Sequence, residues 1–66
     1  MKLKIDKESD ALYFRLDESP IIELQEVEPG AILDFNRDGK AVGVEILQLS
    51  TRVASENLNF LELENG

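Results

Sequence analysis

The run Asp34-Phe35-Asn36-Arg37-Asp38-Gly39, with Glu45 following after five intervening residues, satisfies the calcium-loop pattern D-x-[DN]-x-[DN]-G-x5-E at every constrained position. In such a loop Asp34, Asn36 and Asp38 would offer side-chain oxygens. The Lys40 carbonyl would add another, and Glu45 would close the site with both carboxylate oxygens. The surrounding residues argue against that use. A calcium loop is entered from a helix, whereas the segment before Asp34 alternates as a strand behind Pro29-Gly30. Val42, at the ninth loop position, has no ligand atom in its side chain. The stretch therefore reads as a β-hairpin whose tip uses Asp38-Gly39 for its turn geometry. No metal and no cofactor is expected.

Carboxylates supply the other candidates. Asp17 with Glu18, Glu26 with Glu28, and Asp34 with Glu45 could bring acids together, as a cation site or a two-carboxylate hydrolase requires. With 14 acidic residues among 66, such pairs arise by chance. Asp34 and Glu45 stand apart because alternation places both on the same face of neighbouring strands. Other chemistry is closed by composition. The chain has no histidine and no cysteine, so histidine-based triads, thiol nucleophiles and ordinary zinc sites have no residues to build them. The glycines at 30, 39, 43 and 66 form neither a P-loop nor a dinucleotide fingerprint. No catalytic residue is assigned.

The elements that must position these groups follow a period of two. Leu3 and Ile5 alternate with Lys2, Lys4 and Asp6. Leu12, Phe14 and Leu16 alternate with Tyr13 and Arg15. Ile22 and Leu24 begin a third strand that runs to about Val27. Ala31, Leu33 and Phe35 form a fourth, and Val42, Val44 and Ile46 a fifth. Turns separate them at Lys7–Asp10, Asp17–Pro20, Glu28–Ala31 and Asn36–Lys40. Glu28-Pro29-Gly30-Ala31 carries the type II signature, with glycine where φ is positive. Ser50 can cap a short helix running through Glu56. Beyond it, residues 57–64 read as a final strand or as a helix capped by Asn57.

Short turns imply antiparallel neighbours. The fold expected is mainly β, a small antiparallel meander with one short C-terminal helix and a final strand, in a single domain over residues 1–66. One face gathers Leu3, Ile5, Leu12, Phe14, Leu16, Ile22, Leu24, Leu33, Phe35, Val42, Val44 and Ile46. Lys2, Lys4 and Arg15 make a basic stripe on the other, read as cross-strand partners for Glu23 or Glu45. Tyr13, Ile21, Val27, Ile32 and Leu47 add an apolar patch there. With Leu58, Phe60, Leu61 and Leu63 from the tail, they are the candidate interface.

Net charge is −7. A chain so acidic meets nucleic acid and anionic membrane surfaces with repulsion, so neither is expected as a partner, whereas a small basic protein is compatible. Hydrophobic residues make up 42% of the chain, too many for a disordered acidic tail. The charged residues near Met1 do not form a secretory signal, and no apolar stretch is long enough to span a bilayer. A cytoplasmic protein is expected. A domain of this length buries only about 60% of its extended surface, and domains this small lean on disulfides, metals or a second subunit. Without cysteine, a homodimer is the expectation.

Three segments carry a family resemblance. Asp6-Lys7-Glu8-Ser9-Asp10-Ala11-Leu12-Tyr13, then Val27-Glu28-Pro29-Gly30-Ala31-Ile32-Leu33-Asp34-Phe35, then Asp38-Gly39-Lys40-Ala41-Val42-Gly43-Val44-Glu45-Ile46-Leu47 together resemble the DUF2283 family of small prokaryotic proteins, over residues 1 to about 53. The resemblance implies a small β-rich protein, and it supplies no catalytic residues. The function read from the whole is a non-catalytic protein-interaction or oligomerisation module. An antitoxin-like or regulatory subunit of a two-gene pair is the first alternative. A carboxylate-based cation-binding protein or small hydrolase is the second.

Overall fold

The computed structural model describes residues 1–54. Its strands are β1 (Lys2–Asp6), β2 (Ala11–Arg15), β3 (Glu23–Glu28), β4 (Ala31–Phe35) and β5 (Ala41–Ile46), followed by a 3-10 turn at Leu49–Thr51. All five strands join one antiparallel sheet in the order β1-β2-β5-β4-β3. The expected antiparallel, mainly β fold is therefore present. Its connectivity is a hairpin, β1-β2, joined to a meander, β3-β4-β5, with β5 seated against β2. The connection from β2 to β3 crosses the ends of two strands, which is the Greek-key order.

Local chemistry sets each turn. Asp6 Oδ1 accepts hydrogen bonds from the Glu8 and Ser9 amides at 3.1 and 3.3 Å, folding the β1-β2 turn. Gly30 has φ +82°, the positive value its turn requires, and Gly39 has +78° in the β4-β5 hairpin. In that hairpin Asn36 Oδ1 accepts from the Asp38 and Lys40 amides, both at 3.0 Å. In the crossover, Arg15 donates through Nε to the Asp17 carbonyl at 2.9 Å and through Nη2 to the Ser19 carbonyl at 2.6 Å. Asn36 Nδ2 also donates to Ser19 Oγ at 3.2 Å, so the crossover is tied to the hairpin it passes.

Strand register sorts the side chains into two faces, because directly opposed residues share a face. One face has the rows Leu3–Phe14–Val44–Leu33–Gln25 and Ile5–Leu12–Ile46–Ala31–Glu28. The opposite face has Lys2–Arg15–Gly43–Asp34–Leu24 and Lys4–Tyr13–Glu45–Ile32–Glu26. The first is apolar across four strands and becomes polar only at β3.

This corrects the placement of Leu24. Regular pairing back from the Pro29-Gly30 turn would set Leu24 opposite Phe35. A bulge between Glu26 and Glu28 inserts Val27 as an extra residue, so Leu24 faces Asp34 and Glu23 faces Phe35. One inserted residue turns every preceding side chain to the other face.

The C-terminal helix is corrected as well. The described part of that segment is a single 3-10 turn with Gln48, φ 50°, at its N-cap and no side-chain cap. Ser50 does not cap it. Its amide and Oγ instead donate to the Asp10 carboxylate at 3.0 and 2.7 Å. Leu49 adds an amide bond to the Asp10 carbonyl at 2.9 Å and is 4% exposed. Arg52 binds Glu28 Oε2 and the Pro29 carbonyl, each at 2.8 Å. The segment thus straps two turns at one end of the sheet, and tertiary bonds replace the cooperative helix that so short a run could not sustain. The expected final strand, with Leu58, Phe60, Leu61 and Leu63, lies outside the described residues.

Candidate functional site

The polar face of the sheet holds the site. Each of its residues is placed by strand alternation. Asp34 on β4 opposes Gly43 on β5, while Glu45 opposes Tyr13 on β2 and Ile32 on β4. Asp34 and Glu45 are therefore diagonal neighbours on adjacent strands. Lys2 and Lys4 rise from β1 beside Arg15 and Tyr13. Ile21, from the crossover, closes the cleft these residues line, whose volume is about 330 Å³.

Gly43 allows this arrangement. A Cβ at that position would lie 2.7 Å from Asp34 Oδ2, 3.3 Å from Asp34 Cβ and 3.3 Å from the Phe14 carbonyl oxygen. The Asp34 side chain lies flat over the bare glycine backbone and is only 4% exposed. Its Oδ1 is shielded from solvent and has no donor in hydrogen-bonding contact. A buried acceptor left without a donor costs about 1–3 kcal/mol.

The missing donor points to Glu45. Its hydrogen bond to Asp34, reinforced by burial and by the neighbouring negative charge, pushes the Glu45 carboxyl up to about 7. In that state Glu45 carries an acid proton it can donate to the Asp34 carboxylate. Two turn carboxylates behave oppositely: hydrogen bonds from Ser9 lower Asp6, and bonds from Ser19 lower Asp17.

The remaining sequence-derived residues disperse. The calcium-type residues sit on two strands and a hairpin. Asn36 Oδ1 is taken by the hairpin amides, and Asp38 and Lys40 lie exposed at its tip, away from the face that holds Asp34 and Glu45. Among the described residues no group of three or more acidic side chains converges. Glu28 pairs with Arg52, and Glu26 Oε2 accepts from the Gly30 amide at 3.2 Å. The basic stripe does share one face, but Arg15 is held by backbone carbonyls and Glu23 lies on the far side.

Within the candidate interface, Tyr13 and Ile32 share that face and Ile21 walls the cleft. Val27 sits in the bulge, 53% exposed, and Leu47 packs beside Gly30. The patch is thus divided between the cleft, an outer strand and one end of the sheet. Gly43 is the residue that sequence reasoning passed over. Its signal was a glycine inside an alternating strand, which marks close approach by another group.

The family model described as "Protein of unknown function (DUF2283)" matches residues 2–50, most of the chain. The chain belongs to the DUF2283 family. The matched stretch of this DUF2283 protein contains all five strands, the Asp34–Glu45 pair and Leu49. No curated protein and no solved structure matches the chain. Among the described residues, no helix is long and apolar enough to cross a membrane.

Proposed function

We propose that this protein is a non-catalytic self-association module, a homodimer formed by packing the apolar sheet faces of two copies. The observation that carries this reading is the state of that face. Among the described residues the buried apolar side chains are only Ala11, Val42 and Leu49, and no large side chain is fully buried. Leu3, Ile5, Leu12, Phe14, Leu33, Phe35, Val44 and Ile46 are all half-buried. A sheet with one apolar face reaches its stable state by covering that face with a second layer.

Association through β3 is less suited. All six of its residues are exposed, yet it carries Glu23, Glu26 and Glu28 and the bulge at Val27, devices that discourage strand addition. The polar positions Glu23 and Gln25 instead edge the apolar face, giving it a hydrophobic centre and a polar rim.

Folding linked to dimerisation makes the melting temperature depend on concentration. Thermal melts from about 5 to about 500 μM, a range bracketing micromolar dissociation constants, are expected to shift upward with concentration. A melting temperature that stays constant across that range contradicts the proposal.

A further inference from the structure

We propose that Asp34 and Glu45 share a single proton and form a latch between β4 and β5, closed while the proton is held and loosened when it leaves. This inference is independent of self-association. It rests on placement. Asp34 Oδ1 is buried and has no donor in contact, so a proton held on a neighbouring carboxyl would satisfy it. Gly43 brings the Asp34 carboxyl down onto β5, and Glu45 stands on the same face of that strand.

The other groups facing the pair do not supply the donor. Arg15 from β2 directs Nε and Nη2 to the Asp17 and Ser19 carbonyls. Lys2 and Lys4 from β1 are exposed, as is Tyr13 from β2. Ile21 from the crossover is apolar. On β3, Leu24 opposes Asp34, and Glu26 lies opposite Ile32 as a further acid on this face. Two carboxylates so placed cannot both ionise without repulsion, and one retained proton turns the repulsion into a hydrogen bond.

The direction of the pH effect follows. The folded state holds the Glu45 proton up to about pH 7, while the unfolded chain releases it near 4.5. Between those values the folded state binds more protons, so stability falls as pH rises, and it levels off above the folded value. Asp6 and Asp17 act in the opposite sense, because their lowered values make stability fall as pH drops below about 3.8. The protein is therefore most stable in mildly acidic solution.

The test is a carboxyl-resolved NMR titration of the full chain, paired with thermal melts. Glu45 is expected to titrate near pH 7, and in Asp34→Asn to return towards 4.5, because the amide can donate to the carboxylate. Glu45→Gln keeps a donor but has no proton to lose, so its melting temperature should be flat between about pH 5 and 8, where wild type declines. A wild-type Glu45 midpoint near 4.5, or an undiminished decline in Glu45→Gln, overturns the latch. Should Asp34→Asn fail to fold, the wild-type titration and the Glu45→Gln melts decide the question.

Discussion

Gly43→Val is expected to destabilise the fold by about 3 kcal/mol, the upper part of the range for forcing extra carbon into a packed position. The first added carbon alone would meet Asp34 Oδ2 at 2.7 Å and the Phe14 carbonyl oxygen at 3.3 Å. The carboxylate would have to swing away, and its hydrogen bond with Glu45 would be lost with it. Valine is otherwise well suited to a strand, so propensity alone predicts the opposite sign. Urea denaturation of Gly43→Val in the wild-type and Asp34→Ala backgrounds separates the two causes. The cost should fall to about 1 kcal/mol or less once Asp34 is removed, since contacting residues are non-additive. An equal cost in both backgrounds would assign the effect to the Phe14 backbone contact instead.

Leu49→Ala should cost about 2–4 kcal/mol, within the range for buried leucine truncations. Leu49 is 4% exposed, against 5% for Val42 and 1% for the much smaller Ala11. It sits in the 3-10 turn, whose amide bonds and Arg52 contacts pin it against both turns at that end of the sheet. For a domain with stability of a few kcal/mol, the loss should leave a substantial unfolded fraction at 37 °C. Circular dichroism melts measure it directly. A variant melting within a few degrees of wild type would show that the strap, and not the side chain, closes this end.

These two residues mark where the sequence was legible and where it was not. Alternation of Leu12, Phe14 and Leu16 against Tyr13 and Arg15 identified β2, and the same period located the other four strands. The Pro29-Gly30 and Asp38-Gly39 turns were readable because positive φ at those glycines leaves a compositional trace. Strand order was not readable. A seven-residue connection at 16–22 can turn back as a hairpin or cross strand ends, and Arg15 only folds the crossover locally, while the bond that ties it across the sheet comes from Asn36, 17 residues from Ser19.

The face of Leu24 was misread for a different reason. Nothing in Glu26-Val27-Glu28 announces a bulge, and a single inserted residue reverses the pattern upstream of it. Asp34 and Glu45 could be placed on one face by counting residues. Their intimacy could not, because it depends on the missing side chain at Gly43. Leu49 escaped because its position is fixed by an amide bond to the Asp10 carbonyl, 39 positions earlier in the chain, and not by any periodicity.

Self-association through the apolar face is tested most directly by sedimentation equilibrium of the full chain at about 100 μM, well above the micromolar dissociation constant of a dimer held by roughly 8 kcal/mol. The expected mass is twice that of the 7.4 kDa chain, decreasing towards the monomer on dilution. A single species of 7.4 kDa at that concentration would contradict the account and leave the half-buried face of Phe14, Leu33, Val44 and Ile46 to a different partner.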